Sequence, residues 1–128
     1  MNFPKDLRYT KDHEWAKVEG TTVTVGVTDH AQSALGDIVF VDLPAVGKTL
    51  KVHDTMGVVE SIKAVSDLYC PIEGKILEVN SALTQDPAVV NKDPYGGAWI
   101  AKIELTNPAS LEGLMDAATY EKYVQSLT

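Results

Sequence analysis

The chain has 128 residues, 45% of them hydrophobic, a single cysteine and a formal net charge of -7. That length suits one domain over residues 1–128, which buries roughly two-thirds of its unfolded surface without a disulfide or metal staple; Cys70, being alone, excludes an internal disulfide. The negative charge argues against binding nucleic acid and suits docking on basic protein surfaces, while no apolar run approaches the ~20 residues of a membrane span.

Met1-Asn2-Phe3-Pro4-Lys5-Asp6 carries neither a signal-peptide core nor a transit pattern, so the expected location is the bacterial cytoplasm. Taken in chain order, the apolar residues alternate with period two in several short runs, the pattern of a mainly β protein. Val23, Val25 and Val27 alternate with Thr22, Thr24 and Gly26 as in a half-buried strand. Thr28 or Asp29 can cap a short helix running through Leu35, with Gly36 as its terminator. Ile38 to Leu43 is almost continuously apolar and is closed by Pro44, which predicts a strand buried on both faces. Further on, Glu73 to Val79 is bracketed by turn residues as another strand, and Asn91 to Gly97 is turn chemistry. Ala101, Ile103 and Leu105 alternate with Lys102 and Glu104, and residues 113–127 carry Leu114, Met115, Ala118, Tyr123 and Leu127 at broadly helical spacing. The Gly-Lys cores at 46–51 and 72–77 are too short a match to establish an internal repeat. Many short strands with few helices predict a small sandwich or barrel with a helix packed on it.

One segment carries chemistry. In Gly57-Val58-Val59-Glu60-Ser61-Ile62-Lys63-Ala64-Val65-Ser66-Asp67-Leu68-Tyr69, the valines before Lys63 and Val65, Leu68 and Tyr69 after it favour two strands joined by a short connection. Lys63 then stands at a hairpin tip, where a modifying enzyme can reach it. A lysine in such a place is ordinarily a solvated edge guard, and its context decides otherwise. The run Gly57-Val58-Val59-Glu60-Ser61-Ile62-Lys63-Ala64 closely resembles the lipoyl-attachment site of the glycine cleavage system H-protein family. The resemblance extends through Tyr9-Thr10-Lys11-Asp12-His13-Glu14-Trp15, Gly36 to Pro44, Ser66 to Gly74 and Val90 to Trp99, nearly the whole chain.

The resemblance implies a lipoyl/biotinyl-carrier-like β-sandwich or flattened barrel of two antiparallel sheets, with short helices and a C-terminal helix. It implies lipoic acid in amide linkage on Lys63, with Glu60, Ser61, Ile62 and Ala64 as the flanking recognition residues. Glu14 and Asp67 match the family positions whose acids hold the amine of the loaded arm in a surface cleft. The implied role is a carrier with no catalysis of its own. It would take the aminomethyl group of glycine from the pyridoxal-phosphate glycine decarboxylase (P-protein) to the tetrahydrofolate-dependent aminomethyltransferase (T-protein), and be reoxidised by dihydrolipoamide dehydrogenase (L-protein). A lipoate ligase or octanoyl transferase would install the group.

Two other readings are weighed. A biotin carrier also displays a lysine at a hairpin tip, but methionines usually flank it, whereas Ile62 and Ala64 stand here. An H-like lipoyl donor serving the assembly of other lipoyl enzymes would keep Lys63 and is not separable by sequence. His13, His30 and His53 are scattered, with no HExxH pattern and no cysteine pair, so no metal site is expected. Cys70, Met56 and His53 depart from the residues common in the family. Cys70, ahead of Pro71 in an apolar stretch, is expected to be buried and inert.

Overall fold

The computed structural model describes residues 1–127; Thr128, the last residue of the predicted domain, lies outside them. Among the described residues nine strands and four α-helices follow in the order β1 (Arg8–Tyr9), β2 (Glu14–Glu19), β3 (Thr22–Val27), α1 (Asp29–Leu35), β4 (Ile38–Asp42), β5 (Thr49–Leu50), β6 (Thr55–Ser61), β7 (Val65–Tyr69), β8 (Gly74–Val79), α2 (Ala82–Gln85), α3 (Val89–Lys92), β9 (Ala101–Leu105) and α4 (Ala117–Gln125). A 3-10 turn, Pro108–Gly113, precedes α4. The strands form two antiparallel sheets, one of six in the order β1-β2-β3-β9-β8-β5 and one of three in the order β4-β6-β7.

The main core lies between the sheets because each contributes one apolar face. Val23, Val25, Ile76 and Ile103 from the larger sheet cluster with Val41, Val59 and Leu68 from the smaller. A second cluster joins α4 to the start of the chain: Tyr9 and Tyr120 stack with ring centroids 4.6 Å apart, next to Trp15 and Val124. Asp116 caps α4 by accepting from the Thr119 amide, which fixes the helix start.

Most predicted elements stand where the pattern placed them. Thr28, not Asp29, is the cap of α1: its hydroxyl accepts from the Ala31 amide at 3.2 Å, and Gly36 ends the helix with φ +83°. Three expectations are corrected. The strand at 38–43 is not buried on both faces: β4 is an edge strand, and a bulge between Ile38 and Phe40 turns Val39 and Phe40 outward, 53% and 48% exposed. A continuous apolar run therefore marked a half-buried edge. The C-terminal helix begins at Ala117 and not near 113, because Met115 pairs with Tyr9 as an isolated bridge, its amide donating to the Tyr9 carbonyl at 2.8 Å. Of the turn expected over 91–97, the first residues, Asn91 and Lys92, complete α3.

Candidate functional site

Lys63 stands in the connection between β6 and β7, whose paired residues nearest the tip are Glu60 and Val65. Ser61 shapes that connection. Its amide donates to the Ala64 carbonyl at 2.8 Å, and its hydroxyl oxygen accepts from the amides of Lys63 at 3.2 Å and Ala64 at 3.0 Å. A short hydroxyl side chain is what such a turn requires, because it substitutes for a backbone acceptor. The Ile62 amide donates to the Asp37 carbonyl at 3.1 Å, which ties the tip to the residue before β4. The tip is thus a fixed loop from which Lys63 projects, exposed, beside an outward Ile62 and Val65. Lys63 lies against Gly36: a β carbon there would sit 3.5 Å from the lysine Cε. Glu60 is half-buried on β6 between Phe40 and Val65, and Ala64 is exposed.

Glu14 opens β2 and is 1% exposed. One carboxylate oxygen accepts from the Thr10 hydroxyl at 2.8 Å, and the other accepts from the Tyr69 amide at 3.1 Å. These bonds hold the acid against the far end of β7. Burial pushes its carboxyl up to about 7, the two hydrogen bonds opposing and the nearby Asp12 reinforcing the rise. Glu14 lines a cavity of about 290 Å³ together with Asp12, His53, Tyr69, Cys70 and Leu114. Among the described residues the one contact between an acid and a basic side chain within 4 Å is His53 with Asp12; Lys11, which also lines the cavity, has its ammonium over the Tyr123 ring, so Glu14 is a buried acid with no cation at ion-pair distance.

Asp67 does not line that cavity. It is exposed on β7 opposite Val58, on the strand face it shares with Val65 and Tyr69. At about 3.3 Å per residue it stands roughly 7 Å from Tyr69 on the tip side. The two acids singled out in the sequence therefore both lie along β7, Asp67 exposed near its middle and Glu14 buried against its far end.

The histidines separate into two places. His13 and His30 approach with ring centroids 4.4 Å apart, and His13 Nδ1 is 2.8 Å from the Tyr120 hydroxyl, which in turn meets the Thr28 hydroxyl at 2.8 Å. Burial, then His30, lowers the His13 pKa. His13 ties α4 to the turn before β2 through the Tyr120 hydroxyl. His53 instead belongs to the cleft. Among the described residues no group of three potential metal ligands forms. Cys70 is 1% exposed, its thiol donates to the Ile72 carbonyl at 3.0 Å, and burial pushes it up to about 11. Asp12, His53 and Tyr69 were not foreseen as members of the site. Their positions lie too far apart in the chain for any spacing pattern to connect them.

A rigid two-sheet scaffold that presents a single lysine on a pinned hairpin tip, with a buried acid in a cleft at the other end of the same strand, has the form of a cofactor-carrier domain. The family model described as "Glycine cleavage H-protein" matches residues 7–127. The chain is 55% identical over 124 residues to the glycine cleavage system H protein of Symbiobacterium thermophilum, covering 97% of each. It is 54% identical over 125 residues to that of Myxococcus xanthus, covering 98% of this chain and 97% of the relative. Its fold superposes on the crystal structure of a glycine cleavage system H protein from Mycobacterium marinum with a TM-score of 0.87 at 42% identity, covering 95% of this chain and 98% of that one. The chain belongs to the glycine cleavage H-protein family.

Proposed function

We propose that the chain is the lipoyl carrier of glycine cleavage, with lipoate in amide linkage on Lys63. In this role it takes the aminomethyl group of glycine from glycine decarboxylase to the aminomethyltransferase and is then reoxidised by dihydrolipoamide dehydrogenase. The observation that carries this reading is the lysine itself: exposed, with its backbone held by the Ser61 hydroxyl, in the connection that leads into the strand ending at the Glu14 cleft. When bound, the dithiolane supplies a disulfide that accepts a one-carbon fragment and is afterwards restored by exchange with a partner's redox site.

The chain's own residues supply position and surroundings. Lys63 is used as a nucleophile once, and acylation removes its charge, leaving a long flexible tether. Gly36 leaves the lysine stem room to lie flat against the scaffold, with φ +83° that a side chain would strain. Ile62 and Ala64, exposed on either side of Lys63, with Glu60 behind them, give the attaching enzyme a shaped surface to read. An amine carried on the arm meets Asp67 first and Glu14 at the end of the path. Glu14, being buried without a cation, gains from an ammonium partner and drops its proton as the pair forms. The rim acids also steer encounters with basic partner surfaces, an effect on rate more than on affinity.

The test is glycine-driven loading. The lipoylated chain, incubated with glycine decarboxylase and glycine, is expected to gain one aminomethyl group per lipoyl group and to lose it when aminomethyltransferase and tetrahydrofolate are added. A lipoylated chain that is never loaded, yet passes its lipoyl group to other carrier domains, would instead establish the lipoyl-donor role.

A further inference from the structure

His53 occupies an unusual place. It sits in the turn between β5 and β6 with φ +74°, a left-handed conformation that a residue with a β carbon adopts at a cost. Its backbone is held there by its amide donating to the Cys70 carbonyl at 2.8 Å, and the turn is closed by the Asp54 amide donating to the Lys51 carbonyl at 3.1 Å. Its imidazole lies flat on Tyr69, with centroids 4.5 Å apart and planes inclined by 19°, and its Nδ1 is 3.2 Å from a carboxylate oxygen of Asp12. Asp12 comes from the turn before β2, so the contact joins two segments far apart in the chain. Both partners line the cavity that holds Glu14, but they are 66% and 37% exposed while Glu14 is buried: the pair stands at the rim and the acid at the floor. A volume of about 290 Å³ remains within this lining. The pair therefore stands at the edge of the space and does not fill it.

We propose that His53, pinned to Asp12 and stacked on Tyr69, is a positioning residue that straps the mouth of the Glu14 cleft and retains the end of the loaded arm there. This rests on the carrier reading above. Two effects follow from the geometry. The imidazole extends the flat wall begun by Tyr69, a surface against which an apolar arm can lie. It also engages Asp12, the nearest competing acid, so that an incoming ammonium is left with Glu14 at the floor. Retention matters because water attacking the loaded carbon breaks its bonds to sulfur and nitrogen, releasing formaldehyde and ammonia and leaving the free thiol, with no change of oxidation state. A carrier that holds this end in a covered cleft loses less of its cargo.

The test has two readouts. In the unlipoylated chain, the ring protons of His53 are expected upfield of random-coil values, shifted by the Tyr69 ring, and Asp12→Asn is expected to return them towards random coil. In the lipoylated and loaded chain, the lifetime is measured as formaldehyde release without folate. His53→Gly, which also relieves the backbone, and His53→Asn, which tolerates the same conformation, are each expected to shorten it roughly two- to fivefold, the scale of one exposed polar contact. Asp12→Asn should match them, the double variant His53→Gly/Asp12→Asn should be no worse than either single change, and Asp12→Glu should restore the wild-type lifetime. Unshifted His53 signals, or wild-type lifetimes in the single variants while Glu14→Gln shortens the lifetime, would overturn the strap alone. Unchanged lifetimes in Glu14→Gln as well would overturn the cleft reading with it.

Discussion

Replacing Glu14 by glutamine should change how stability depends on pH more than it changes the structure. The side chain is 1% exposed, and burial raises its carboxyl from the ordinary 4.5 to about 7. Between those values the native protein keeps a proton that the unfolded chain has released. The native state is therefore favoured fully below pH 4.5, and that advantage is lost as pH rises through about 7. The gap corresponds to about 3 kcal/mol of stability. Glutamine stays neutral throughout, and its amide can still accept from the Tyr69 amide and donate to the Thr10 oxygen. Glu14→Gln should thus match the wild type to within about 1 kcal/mol at pH 4, and exceed it by about 3 kcal/mol at pH 8, equivalent to roughly 10 °C in Tm for a chain of this size. Thermal and urea unfolding followed by circular dichroism from pH 4 to 8 would measure the difference, in which the other titrating groups largely cancel. Parallel pH profiles for the two proteins would refute the argument that Glu14 is held as a buried acid without a cation.

Two further outcomes follow from the packing. Cys70, buried and with its thiol pushed up to about 11, should be alkylated far more slowly in the native state than after unfolding, and Cys70→Ser should leave lipoyl redox cycling unchanged; rapid native labelling would contradict its burial. A β carbon at Gly57 would run into the Asp42 carbonyl oxygen, so Gly57→Ala should part β4 from β6 and lower the urea midpoint by the equivalent of about 1–3 kcal/mol; an unchanged midpoint would show that the smaller sheet absorbs the intrusion.

The strand pattern was legible wherever one face is buried. Val23, Val25 and Val27 alternate with polar residues and Gly26, and the same alternation marks β9. It failed at β4, where an apolar run gave no sign of which face is covered, and the bulge that exposes Val39 and Phe40 has no local signature. The hairpin tip that carries Lys63 was legible because its surroundings are contiguous: Ser61, Ile62 and Ala64 shape the tip within three residues of one another. The cleft was only half legible. Glu14 stood out by resemblance, but its closeness to Tyr69, and the meeting of Asp12 with His53, are products of two sheets packing face to face. His53 stood out in the sequence only as a scattered histidine and a departure from the residues common in the family, because nothing local distinguishes a strained histidine from a relaxed one.

The central claim is that Lys63 carries the lipoyl group, and one measurement meets it directly. The chain, co-expressed with a lipoate ligase and supplied with lipoate, is analysed by intact mass and by peptide mapping, beside Lys63→Arg. The account predicts a mass increase of one lipoyl group, confined to the peptide containing Lys63 and absent from the variant. A lipoyl group on another lysine, one that survives in Lys63→Arg, or a biotin adduct in its place would contradict it.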